Sequence, residues 1–190
     1  MSRGSQRIVL RDTADLSGPP LQDVKLQGDA ATMTGKIAVG GITRKDDLVL
    51  VRILDAPAHR GLAAKALSGL GCKGINIACV TSFVANNGLN NICFAISRDD
   101  LDQTLGILQG VREEIQARAI EYQKGCSAVS IYGPQFSERP AIAATIFRAT
   151  AEAGVEILLI STSFSTVSFV THKDQVETAV NRLHDSFLVP

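Results

Sequence analysis

The stretch GINIACVTS, Gly74 to Ser82, returns eighty residues later as GVEILLIST, Gly154 to Thr162. A self-similar period of this kind fixes architecture before any single residue does, because each copy is one supersecondary unit. The match reaches backward from there. GLAAKALSGLGCKGINIACVTS (61–82) falls on AIAATIFRATAEAGVEILLIST (141–162), pairing Ala63–Ala64 with Ala143–Ala144 and Ile77 with Ile157. Beyond it the register slips by five, and NICFAISRDDL (91–101) falls on TVSFVTHKDQV (166–176). A longer hairpin loop in the first copy, VANNGLNN, accounts for the slip.

Both copies predict the same order of elements. A β-branched run opens each, LVLVRIL (48–54) and SAVSIYG (127–133), followed by the turn-rich DAPAHRG or PQFSERP. A helix follows, with apolar residues at helical spacing: Leu62, Ala66, Leu67 and Leu70 in one copy, Ile142, Ile146 and Ala149 in the other. Gly74 and Gly154 end these helices, since glycine accepts the left-handed conformation of a helix C-terminus. Two strands and a second helix complete each unit. RDDLDQTLGILQGVREEIQ carries acidic residues at its start, where the helix dipole favours them. The order is βαββαβ with a final strand missing or shared. The predicted fold is α+β: two ferredoxin-like units, each a two-layer α/β sandwich, with their sheets joined side by side. The units span 38–124 and 125–190, and 1–37 is an N-terminal arm or linker with Gly18-Pro19-Pro20 as a breaker.

Composition narrows the function. Nineteen basic residues balance nineteen acidic ones, which argues against a nucleic-acid binder. An RNA-binding sandwich would need aromatic side chains on its central strands, and INIACV has none. No apolar run is long enough for a membrane span, and the start MSRGSQRIVLRD lacks the pattern of a secretory signal. Cys72, Cys79, Cys93 and Cys126 include no C-x-x-C pair, and the three histidines are scattered, so neither a metal site nor a cofactor is expected. Buried, reduced thiols and a cytoplasmic location follow. No nucleophile–base pair or paired carboxylates stand out, and Asp99-Asp100 reads as a helix start.

Several motifs carry a resemblance. GLAAKALSGLGCKGINI is similar to a G-x-A-A-K helix followed by G-I-N-I. NICFAISRDDL is similar to D-I-T-F-x-x-x-R-D-D-L, ISTSFSTVSFVT to I-S-T-S-E-I-x-I-S, and AVNRLHDSF to A-x-x-x-L-H-x-x-F. In this order they resemble the tandem ACT domains at the regulatory end of aspartate kinases, over residues 38 to 188. The resemblance implies allosteric binding of a small amino acid, lysine or threonine in that family, and ACT units paired into a continuous sheet across a homodimer. It also implies a kinase subunit as a possible partner of a chain in which nothing resembles the kinase half.

The resemblance places the ligand at the loop between first strand and first helix, along the second strand, and against a facing unit. The residues carried over are Pro57, His59, Arg60, Gly61, Leu62 and Ala63, then Asn76, Ile77 and Ser82, with Val155, Glu156, Ile157, Ser161, Thr162 and Ser163 from the facing unit. The free N–H groups of a helix N-terminus suit the ligand's carboxylate. Asn76 and Glu156 interrupt apolar runs, and each is either an exposed strand end or a ligand-facing group. The chain also departs from the family. Ala58 stands where the family has Asp, Arg60 where it has Pro, Ala78 for Asp, Ser82 for Gln, Ala141 for Gly and Phe164 for Glu. His59 and Arg60 suit a more acidic ligand, or they are solvated loop charges. Two functions are therefore open: an amino-acid-sensing regulatory module, or a structural dimerisation module whose ligand site has decayed.

Overall fold

The computed structural model describes residues 11–12, 36–133, 136 and 142–190. Most of the expected N-terminal arm, most of the PQFSERP turn and Ala141 lie outside the described residues. The elements run β1 (Arg11–Asp12), β2 (Ile37–Ala38), β3 (Gly41–Pro57), α1 (Leu62–Cys72), β4 (Ile77–Val84), β5 (Leu89–Ser97) and α2 (Leu101–Gly110). They continue with α3 (Arg112–Ile115), β6 (Ala119–Tyr132), α4 (Ile142–Glu152), β7 (Ile157–Thr162), β8 (Thr166–His172), α5 (Val176–Ser186) and β9 (Phe187–Leu188).

The strands form one sheet in the order β4-β5-β3-β6-β8-β7. Its spine is the antiparallel ladder between β3 and β6, from Gly41 opposite Tyr132 to Leu54 opposite Ala119. Both strands are longer than their apolar runs predict, because each belongs to two units. The second half of β3 opens the first unit, flanked by β5 and then β4. The first half of β6 closes that unit. The second half of β6 opens the second unit, flanked by β8 and then β7. The strand that closes the second unit is the first half of β3, with Thr43 opposite Ser130 and Lys45 opposite Ala128. The final strand missing from the repeat thus comes from the chain ahead of the first unit. Residues 41–45, assigned by sequence to the first unit, complete the second, and the division at 124/125 falls inside β6. The sheets are joined edge to edge, as predicted.

Alternation along β3 explains its unbroken apolar run. Val49, Val51 and Ile53 face the helices α1, α2 and α3 in a core with Leu70, Phe94 and Leu108. Val129, Ile131, Ile146, Phe169, Leu183 and Phe187 form the matching core of the second unit, and Ile37 and Val39 complete it from the N-terminal side. The opposite faces pack on each other. Leu48, Leu50, Ala95, Cys126, Ala128, Leu159 and Val170 make a third core there. Leu48, Val49, Leu50 and Val51 are therefore all essentially inaccessible to solvent, the signature of a strand buried on both faces. The sheet curls around this third core until its outermost strands, β4 and β7, approach each other.

Glycine ends both first helices as expected, with Gly74 at φ 73° and Gly154 at φ 69°. The second helix of the first unit is broken, contrary to the single helix expected over 98–116. α2 stops at Gly110, and α3 is a separate turn. In the second unit α5 runs straight into β9, which pairs parallel with β2 (Ile37 opposite Phe187). On the outer side of β6, Arg11–Asp12 lie parallel to Glu121–Tyr122.

Where β3 and β6 pass between units, the ladder slips on both sides of Leu48. Asp47 (φ 53°) and Gly125 (φ 70°) absorb the bend in left-handed conformations. Charged groups fasten the crossing. Arg44 donates to Asp46 at 2.7 Å and to Glu177 at 2.6 Å, Ser127 donates to Asp46 at 2.7 Å, and Lys173 donates to Asp47 at 2.7 Å. The hydrogen bond from Arg44, then that from Ser127, holds the Asp46 carboxyl below the usual carboxylate range. A depressed folded-state value means that this contribution is present above the unfolded value of about 4 and is lost as pH falls through the lower folded value. Asp46→Asn should lower the unfolding free energy at pH 7, read from urea titration, by less than about 1 kcal/mol because the ions are partly solvated. The gap from wild type should narrow as the titration is repeated toward pH 3; a gap independent of pH would remove Asp46 from this role.

Candidate functional site

The β3–α1 loop ends at Gly61, which caps α1 with φ 83° and offers no side chain to the helix amides. No acidic residue lies in the first turn of α1. Leu62 N–H donates to His59 O at 3.3 Å and Lys65 N–H to Gly61 O at 2.9 Å. A Cβ built on Gly61 would meet nothing within 4 Å, so the loop opens onto solvent. His59, Arg60 and Ala63 are exposed, Pro57 is half-buried, and Leu62 is buried in the first core. The His59 Nδ1 lies 3.0 Å from the Arg60 carbonyl oxygen, and the Arg60 guanidinium has no partner among the described residues.

The second group lies elsewhere. β4 follows α1 and runs antiparallel to it, so Asn76 and Ile77 sit at the C-terminal end of α1. Eleven residues of helix separate them from Gly61, roughly 16 Å at 1.5 Å per residue. Asn76 is exposed, with no hydrogen bond among the described residues, whereas Ile77 packs against the first core. Ser82, farther along β4, donates to Asn90 at 2.9 Å. Within one chain, then, Gly61 and Asn76 occupy opposite ends of one unit.

In the second unit, Val155 is buried and Ile157 packs on the same core. Glu156 is an exposed strand end whose backbone is tied down: its N–H donates to Gln175 Oε1 at 2.9 Å, and its carbonyl accepts from Thr171 at 2.6 Å. Its carboxylate lies 3.4 Å from His172 Nε2. Ser161 opposes Ser168 in the ladder. Ser163 Oγ accepts from Thr166 N–H at 3.1 Å and closes the β7–β8 turn, while Thr162 is exposed.

Two cavities accompany these groups. One of about 440 Å³ lies where β4 meets β7, lined by Leu54, Thr81, Phe83, Leu158 and Ile160 among others, and holds none of the predicted residues. The other, about 620 Å³, sits at the end of the first unit against Pro57, with Asp55, Glu113, Gln116 and Arg118 in its wall. The sequence pattern missed those four. Glu113 and Gln116 fall in a stretch that looks like continuous helix, with Gly110 the one sign of a break; Asp55 ends a strand and Arg118 opens the next, positions whose meeting no local pattern marks.

The cysteines do not form a reactive centre. Burial pushes the Cys79 and Cys93 thiols up to about 11 and raises Cys126 as well. Among the described residues no cluster of His, Cys, Asp and Glu is placed to hold a metal ion, and no helix is long and apolar enough to cross a membrane.

Two βαββαβ units with shared strands, each with a β–loop–helix turn, resemble a tandem ACT-domain arrangement. Residues 129–187 match the ACT domain family, which covers most of the second unit. The regulatory subunit of aspartate kinase from Thermus thermophilus, in its ligand-free form, superposes with a TM-score of 0.73 at 26% identity, covering 80% of this chain and 99% of that one. The structure of aspartokinase alpha and beta subunits gives 0.71 at 29% identity, covering 78% of this chain and 98% of that one. An aspartokinase of Bacillus sp. (strain MGA3) is 27% identical over 159 residues, 84% of this chain and 39% of that relative's length. The chain is similar to the ACT-domain regulatory regions of aspartate kinases, and it spans about two fifths of the length of the curated relatives it matches.

Thiol chemistry checks the burial pattern. Cys72 is the exposed cysteine, so iodoacetamide at pH 7.5 should modify it quickly and reach Cys79, Cys93 and Cys126 only after denaturation. Rapid labelling of Cys79 or Cys93 in the folded chain would mean that the third core is open.

Proposed function

We propose that the chain senses a small amino acid at a site composed from two copies. The observation that carries this reading is the separation of Gly61 from Asn76 at opposite ends of one unit. A single ligand cannot touch both within a chain. β4 is an edge strand with exposed Val80 and Val84, and an open edge of this kind invites a second strand. Antiparallel pairing of two such edges sets the Gly61 end of one unit beside the Asn76 end of the other. The ligand carboxylate then takes the amides of Arg60, Gly61, Leu62 and Ala63. Its other polar end meets Asn76 of the facing copy, and the homologous start of β7 in the second unit, Val155 to Ile157, serves in the same way; Ser82 and Ser161 to Ser163, about 20 Å farther along their strands at 3.3 Å per residue, lie beyond the reach of that same ligand. Binding there biases the arrangement of the two copies, and through it a kinase active site on the same or a partner chain.

The substitutions at Ala58, Ala78, Ser82 and Phe164 favour a second reading, a dimerisation module that binds nothing. Calorimetry with each standard amino acid decides between them. The sensor gives heat with at least one. Gly61→Val then abolishes it, through backbone strain of about 1–2 kcal/mol at a left-handed position and a side chain in the ligand's place. Asn76→Ala weakens it by about 1–2 kcal/mol. Silence across the panel from an intact dimer supports the module; binding unchanged by both variants puts the site elsewhere.

The dimer has its own test. Light scattering should give twice the chain mass at micromolar concentration, and Val80→Lys on the β4 edge should shift it to monomer. A wild-type monomer at that concentration would leave the composite site without its second half.

A further inference from the structure

The first unit carries a segment that the second lacks. In the second unit α5 passes directly into β9 at Phe187. In the first, α2 stops at Gly110, and α3 with the loop through Arg118 intervenes before β6. That extra segment forms one wall of the cavity of about 620 Å³, and the end of β3 with Leu89 forms the other. The volume lies within the range of small-molecule sites.

The backbone on both walls is held in an unfavourable conformation. Three non-glycine residues among those described have positive φ, and two of them, Asp55 (φ 53°) and Gln116 (φ 47°), line this cavity. Each costs about 1–2 kcal/mol relative to right-handed backbone, and such residues collect at ligand clamps. Asp55 lies in the irregularity where the β3–β5 pairing shifts between Ile53 and Ala56, and bulges re-aim side chains. Arg118 stitches the two walls together: its N–H donates to Leu54 O at 2.9 Å and its Nε to Asp55 Oδ2 at 2.6 Å, while within the β3 wall Asp55 N–H donates to Asn91 Oδ1 at 3.1 Å.

The charges at the cavity are mixed. The Arg118–Asp55 bond uses Nε, which leaves the two terminal nitrogens of the guanidinium fork directed elsewhere, and the Arg118 side chain is 64% exposed. Glu113 adds a carboxylate with no ion-pair partner among the described residues, its neighbour Glu114 being the one that meets Lys65. A guanidinium fork recognises a carboxylate in bidentate fashion, and carboxylates at Asp55 and Glu113 recognise an ammonium. Pro57, Leu89 and Ala117 supply apolar wall between them.

We propose that this cavity is a second ligand site, for a small zwitterion with a carboxylate and a primary ammonium on one short frame. The carboxylate sits on Arg118 and the ammonium between Glu113 and Asp55. The site is complete within one chain, and so does not rest on the composite site at Gly61. Occupancy ties the α3–β6 loop to the end of β3, beside Pro57, where the β3–α1 loop begins.

The test is a titration of the full chain, labelled with ¹⁵N, with each standard L-amino acid at millimolar concentration, following amide shifts. Propionate and butylamine serve as half-ligand controls. At least one amino acid should shift Gln116, Ala117 and Arg118 saturably, more tightly than either control. Glu113→Gln, a change at an exposed side chain that leaves the fold alone, should weaken those shifts about tenfold, the equivalent of one charge-assisted hydrogen bond. Arg118→Gln should do the same, and Gly61→Val should leave these shifts in place even where it abolishes those at Ala63. No saturable shift at 116–118 from any amino acid, or an affinity unaltered in Glu113→Gln, would overturn the proposal.

Discussion

The antiparallel ladder between β3 and β6 is the constraint on which the molecule depends. Each strand starts by closing one unit and ends by opening the other. The fastening at the crossing is therefore structural for both halves at once. The slip around Leu48 and the left-handed Asp47 and Gly125 let one ladder serve two sheets that then curl over Leu50, Ala128 and Val170. Around that crossing the apolar pattern has little freedom. A one-residue slip would turn Val49 and Val51 into the third core and expose Leu48 and Leu50 to the helices.

Function follows from what the ladder leaves open. It buries the central strands and pushes β4 and β7 to the outside, as edges bearing exposed Val80, Val84 and Ile160. It also sets the β3–α1 loop at one end of its unit and the start of β4 at the other. If the proposed recognition groups at those two ends act together, a ligand would have to be shared between copies, and its binding would depend on how the copies are arranged. The pairing of ligand and assembly is thus a consequence of βαβ connectivity rather than of any one residue.

Much of this was legible in the sequence. The repeat, the helix stops at Gly74 and Gly154, and the shortage of a final strand were all visible. The destination of that strand was not. Nothing in GGITRKDD marks it as the partner of Ala128 to Tyr132, since β pairing between distant segments leaves no local trace. The loop and helix start at Gly61 were readable from a short motif. That Asn76 lies at the far end of the same helix was implicit in the element order but invisible in a linear alignment of motifs. Glu113 and Gln116 escaped because helical periodicity runs on past Gly110 while the backbone does not; Asp55 and Arg118 escaped because they meet only through the pairing of distant strands.

The shared strands also bear on how the chain comes into being. Gly41 meets Tyr132 about 90 residues later, and Ile37 meets Phe187 nearly at the chain's end, so the pairing has high contact order and forms slowly. During synthesis the first unit can collapse while residues 37–45 hang free, with an unsatisfied strand and the apolar side chains of Ile37, Val39 and Ile42 exposed until the second unit emerges. A cut between the units does not yield two domains. It yields a second unit without its edge strand and a first unit carrying one that belongs to its neighbour. The two halves are therefore distinct units of the fold but not independent units of folding.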